Sequence, residues 1–126
     1  MDFTTPPEEL SMPGAIDRIR AFCLALPEVV EKPFGGHTDP AFRVRDKIFA
    51  GISRPFEHVS LGCKGAPGAQ DILVGSDPER YFRPPYTGSK GWVGARLDVP
   101  IDWDVVEDLI RDSYRMVAPK ALADQV

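Results

Sequence analysis

Two cysteines and two histidines are all that this chain of 126 residues offers to redox or metal chemistry. Cys23 and Cys63 cannot build a disulfide framework, so a reducing, cytoplasmic setting is expected. Cys23 falls on the apolar stripe of a helix and reads as core. Cys63 ends a strand pattern with nothing beside it to lower a thiol pKa. His37 and His58 have no Cys, Asp or Glu at ligand spacing apart from the pair His37 and Asp39 in a glycine-rich loop, and neither a metal nor a cofactor is expected. No run approaches 18 apolar residues, so no membrane span is expected. The first ten residues carry Asp2, Glu8 and Glu9 and lack the apolar stretch of a secretory signal. Basic charge is also short: 15 Lys and Arg stand against 19 Asp and Glu, net −4. Taken whole, that speaks against a polyanionic partner. Gly88-Ser89-Lys90-Gly91 only superficially resembles a phosphate loop, and no Gly-x-Ser-x-Gly elbow occurs. The carboxylates Asp104, Glu107, Asp108 and Asp112 read as the solvated face of a helix. With no catalytic constellation, an enzyme is not expected.

What is present is one domain's worth of ordinary globular sequence, 43% apolar and 27% charged, with an unusual 13 prolines. Residues 1–12 read as a flexible leader, 13–122 as the domain and 123–126 as a tail. Ser11 and Pro13 are placed to open a helix whose stripe is Ile16, Ile19, Phe22, Cys23 and Leu26. Val29 to Phe34 reads as a short strand. Ala41 to Arg45 and Lys47 to Ile52 form a hairpin around Asp46, with Phe42, Val44 and Phe49 on one face and Arg43, Arg45, Ile48 and Ala50 on the other. Glu57 to Lys64 alternates as a further strand. Ala66 to Val74 reads as a short helix ended by Gly75, and Asp77-Pro78 as the start of another helical turn. Pro84 to Gly91 is a stiffened loop, Trp92 to Leu97 a strand. A final helix is capped by Asp102, stapled by Ile101 and Val106, and striped by Trp103, Val106, Ile110, Tyr114 and Val117. Strands that follow one another without intervening helices predict an α+β fold: a single two-layer domain, its antiparallel sheet covered by helices on one face.

The net charge is unevenly spread. Residues 1–40 carry −4, residues 41–97 carry +4 and residues 98–126 carry −4. The basic block coincides with the strands. Arg43, Arg45, Lys64, Trp92 and Arg96 alternate away from the apolar set, so the face opposite the helices is expected to be basic and to carry an indole. Such a face suits stacking and phosphate contact. It equally suits plain solvation, the ordinary state of one face of an antiparallel sheet.

Several motifs in order resemble the MmcQ/YjbR-like family of small bacterial proteins. These are Ala41-Phe42-Arg43-Val44 with Lys47-Ile48-Phe49-Ala50, Val59-Ser60-Leu61, Asp77-Pro78-Glu79-Arg80-Tyr81-Phe82, Pro84-Pro85-Tyr86, Gly91-Trp92-Val93-Gly94, and Asp102-Trp103 with Ser113-Tyr114-Arg115-Met116-Val117-Ala118-Pro119-Lys120. The chain departs from that pattern at 62–68, where a longer, more acidic helix is usual. The resemblance implies a frataxin-like or secretion-chaperone-like α+β fold. It also implies DNA binding through two hairpin wings, one at Ala41–Ile52 and one at Pro84–Leu97. Carried over by position, Arg43, Arg45 and Lys47 would serve the first wing and Lys90 and Arg96 the second; with Lys64, Arg83 and Trp92 of the basic strand region they are the candidate residues for weak and non-specific contact with double-stranded DNA. Two other readings stand beside it. One is a protein- or peptide-interaction module, which needs an exposed apolar patch or strand edge. The other is a binder of small anionic ligands near Trp92, Tyr86 and Arg83, which needs a pocket there. A monomer is expected.

Overall fold

The computed structural model describes residues 7–33 and 39–126. Its centre is a six-stranded antiparallel sheet in the order β1-β2-β3-β4-β6-β5. The strands are β1 (Val29–Glu31), β2 (Ala41–Val44), β3 (Lys47–Ser53), β4 (Ser60–Lys64), β5 (Tyr81–Phe82) and β6 (Trp92–Arg96). The helices are α1 (Pro7–Leu10), α2 (Ala15–Leu24), α3 (Ala69–Ser76), α4 (Trp103–Val117) and α5 (Lys120–Ala123). They pack against the sheet, so the α+β architecture expected from the strand order is the one found.

The strongest element forms for the reasons its sequence gives. Asp102 Oδ1 accepts from the Val105 N–H at 3.4 Å, capping α4. Val106, Leu109, Ile110, Ser113 and Tyr114 then recur at helical spacing and are buried. Tyr114 meets Phe49 edge-on at 5.4 Å and donates its hydroxyl to the Pro27 carbonyl at 2.7 Å. Burying each such large apolar side chain stabilises the fold by roughly 1.5–3 kcal/mol.

The hairpin departs from simple alternation. Phe42 pairs with Ala50 but Arg43 pairs with Ile48, leaving Phe49 as the extra residue of a bulge in β3. Ala50 therefore faces the core with Phe49, not the open face with Ile48, and both are fully buried. The bulge takes Phe49 out of the ladder, and its carbonyl accepts instead from the Ser113 hydroxyl at 2.6 Å. The same hydroxyl accepts from the Lys64 N–H at 3.0 Å, so one buried serine joins α4 to β3 and β4.

Several boundaries differ from expectation. Ser11 does not cap α2, which starts from Gly14 in the left-handed region. The first strand stops at Glu31, and Phe34 lies outside the described residues. α3 begins at Ala69, after Gly68, rather than at Ala66, and Gly75 lies inside it, since a single glycine costs a helix only about 1 kcal/mol. Asp77 starts a turn rather than a helix, accepting from the Arg80 and Tyr81 N–H groups before β5 begins. Met12 N–H bonds to the Leu97 carbonyl at 2.6 Å, which ties the segment before α2 to the end of β6.

Candidate functional site

Register decides what the outward face of the sheet presents. Gly51 pairs with Gly62, and Gly62 with Gly94, while Ala41 pairs with Gly51. Side chains directly opposite one another share a face, so a row of positions bare or nearly bare of side chains crosses β2, β3, β4 and β6. Phe82 pairs with Gly94, and its ring occupies the space a Cβ on Gly94 would need, closing the row at that end. The remainder is a groove of about 540 Å³ lined by Asp39, Ala41, Ile48, Gly51, Ile52, Ser53, Pro55, Gly62, Pro84, Pro85, Tyr86, Thr87 and Trp92. Trp92 is half-buried at its side, with the indole Cε3 3.9 Å from where a Cβ on Gly62 would lie. The groove runs beside Trp92 and Tyr86, two of the three residues named for a binder of small anionic ligands. Its lining holds one acid and, among the described residues, no base, and Arg83 is not part of it.

The loop that walls the groove is held rigidly. Gln70 of α3 donates from one amide nitrogen to the Gly88 carbonyl at 2.8 Å and the Trp92 carbonyl at 2.6 Å. Tyr86 sits at φ 66°, ψ −61°, and the Thr87 N–H reaches the Pro85 carbonyl at 2.8 Å. That is a γ-turn of the rare positive-φ kind, strained for a bulky residue, and it holds the Tyr86 ring 94% exposed.

The basic residues divide into two groups. Arg45 lies in the hairpin turn with Asp46, both at positive φ, and grips Glu28 through two bonds of 2.7 and 3.0 Å. The guanidinium hydrogen bonds hold the Glu28 carboxyl below its usual range and raise Arg45. Arg43 is 14% exposed and bonds to the Lys32 and Asp46 carbonyls. Arg96 forms two bonds to Asp98, at 2.9 and 3.0 Å, with His58 against the same carboxylate at 2.9 Å. Arg96 first, then His58, lowers the Asp98 pKa against the opposing effect of burial. By contrast Lys47, Lys64, Arg83 and Lys90 form no ion pair among the described residues. These four leave one end of the sheet: Lys47 from the β2–β3 hairpin, Lys64 from the end of β4, and Arg83 and Lys90 from the β5–β6 loop. Lys64 and Lys90 line a cleft of about 330 Å³ there, together with Asp71.

Both cysteines are buried. Desolvation pushes the Cys23 thiol up to about 12 and raises Cys63 as well, which disfavours the thiolate on which redox chemistry depends. His37 lies outside the described residues, and no three metal-ligating side chains gather among those described. No helix among them is long and apolar enough to cross a membrane. The facing glycines and the Tyr86 turn were not singled out from sequence, and Asp39 only as the neighbour of His37. The one available signal was glycine at the outward positions 51 and 62 of alternating strands.

A solved structure with a similar fold is the crystal structure of protein DR2400 of Deinococcus radiodurans, which carries a DUF419 domain. The TM-score is 0.73 at 21% identity, over 95% of this chain and 89% of that one. No curated protein matches the chain. The YjbR family model matches residues 24–116, a span running from the end of α2 almost through α4 and containing the whole sheet, both hairpins and the groove. The chain belongs to the YjbR family.

Proposed function

We propose that this protein contacts the phosphate backbone of double-stranded DNA, weakly and without reading bases, through the end of the sheet from which both hairpins project. The observation that carries this reading is the convergence of Lys47, Lys64, Arg83 and Lys90 at that end without carboxylate partners among the described residues. The β2–β3 and β5–β6 hairpins are three strand spacings apart, about 14 Å, which compares with the roughly 12 Å width of the major groove of B-DNA. Two tips at that spacing fit phosphates on either side of a groove. Arg43, Arg45 and Arg96 contribute little, because each is already committed to a carboxylate or carbonyl within the chain. Trp92 belongs to the wall of the sheet-face groove. The one long helix, α4, is acidic on its exposed side and offers no element for base readout.

Four phosphate contacts imply a slope near −3.6 in log K against log salt, so affinity falls roughly 150-fold between 50 and 200 mM. Fluorescence anisotropy of a labelled 20-base-pair duplex at these two concentrations tests this. Alanine at Lys47, Lys64, Arg83 and Lys90 together is expected to abolish both binding and its slope. Alanine at Arg111 and Lys120 is expected to change neither. Absence of binding at 50 mM, or a slope that survives the fourfold substitution, overturns the reading.

A further inference from the structure

We propose that the groove on the sheet face is a binding site for a small organic ammonium, a flat apolar body carrying a positively charged nitrogen. The site goes beyond the nucleic-acid reading, because no basic residue among those described lines it and its floor is the face of the sheet.

Three observations made on different parts of the molecule converge here. The first is the floor. Gly51 and Gly62 face one another across β3 and β4, and neither has a left-handed backbone. A Cβ on Gly51 would meet nothing closer than 3.9 Å, and one on Gly62 nothing closer than 3.8 Å. The fold therefore requires glycine at neither position, although glycine weakens a strand. Side chains there would fill the groove; their absence leaves a flat peptide surface between Ile48 and Trp92 on which a ring can lie. The second is Tyr86, held over the rim in a strained γ-turn and almost wholly exposed. Strain of this kind persists where the surrounding structure imposes it, and it gathers at binding sites.

The third observation sets the charge. Asp39 borders the groove, and its Oδ1 is shielded from water yet accepts no hydrogen bond among the described residues. A carboxylate half-stripped of partners beside an apolar groove is relieved by a cation. Two aromatic side chains, Trp92 and Tyr86, line the same groove, and the face of an aromatic ring attracts cations and repels anions. The length available also selects the occupant. From Ala41 on β2 to the Phe82 ring over Gly94, the row spans three strand spacings, about 14 Å. That holds a molecule of two or three rings, and Phe82 blocks continuation as an extended chain.

The test uses three probes of one shape: 2-naphthylmethylammonium, 2-naphthylmethanol and 2-naphthoate, titrated by calorimetry and by amide shifts of Gly51 and Gly62. The ammonium is expected to bind at least tenfold more tightly than the alcohol, and the carboxylate most weakly. Asp39→Asn is expected to remove that preference while leaving the alcohol's affinity unchanged. Gly62→Val is expected to abolish binding of all three; its circular dichroism reports whether the fold survives, and Tyr86→Ala, which leaves the sheet untouched, is expected to weaken the ammonium at least threefold. Equal binding of the three probes, or no effect of Asp39→Asn, overturns the charge assignment. Unchanged binding to a folded Gly62→Val variant overturns the groove. Tighter binding of an uncharged valine–alanine pentapeptide than of the ammonium overturns the small-molecule occupant. None of these outcomes alters duplex affinity, which depends on different residues.

Discussion

Replacing Gly62 with alanine should make this protein more stable, an unusual expectation for a glycine at the centre of a sheet. The added Cβ would lie 3.8 Å from the Gly51 carbonyl oxygen and 3.9 Å from Trp92 Cε3, both ordinary contact distances. Restricting the unfolded chain contributes about 0.4–1 kcal/mol, and partial burial of one methyl adds about 0.3 kcal/mol, less than half the value for a fully buried methylene. A gain near 1 kcal/mol raises the melting temperature of a domain this size by about 4 °C. Gly51→Ala, with its nearest neighbour at 3.9 Å, should behave alike. Two other glycines supply the contrast. At Gly65 a Cβ would fall 2.6 Å from the Gly91 carbonyl oxygen, which is also the acceptor of the Gly65 N–H at 3.0 Å. At Gly94 it would strike the Phe82 ring. Each of these should cost about 1–3 kcal/mol through overpacking. Urea unfolding followed by circular dichroism orders the four variants directly. If Gly62→Ala and Gly51→Ala destabilise as much as Gly65→Ala and Gly94→Ala, the floor of the groove is a packing requirement and the reasoning about its emptiness fails.

Ser113→Ala should be the most damaging of the small substitutions, because it strips partners from the Lys64 N–H and the Phe49 carbonyl at once. About 2–4 kcal/mol is expected, read as a lowered urea midpoint at unchanged m. A pH dependence follows from Asp98. Its pKa is depressed in the folded state by Arg96, so its contribution is complete above the unfolded value near 3.9 and is lost as pH falls through the lower folded value. Stability measured from pH 5 to pH 2 should therefore fall less steeply in Asp98→Asn than in the parent chain.

Much of this was legible in the residues. The α4 stripe, its Asp102 cap and the alternation of Val59, Leu61 and Cys63 each reflect one local period, and local periods survive folding. The bulge at Phe49 did not show, because two inward residues in succession depend on a serine 64 positions away in the chain. Nor did β5: two residues become a strand by pairing with β6, not by propensity. The site divides in the same way. Trp92 on the open face and the stiff loop before it were readable. The alignment of Gly51 with Gly62 depends on register, and register is settled by the whole sheet. The basic face was overestimated for a related reason. Sequence places Arg45 on the hairpin but cannot show that Glu28, itself at positive φ, turns back to meet it.

The sheet ends in very short strands on both sides, three residues in β1 and two in β5. An exposed strand recruits another chain through a row of unpaired amides and carbonyls, and two or three residues offer almost no row to extend. Sheet-to-sheet polymerisation thus has little to build on, and the groove can stay open to a ligand without the sheet's edges becoming a hazard at high concentration.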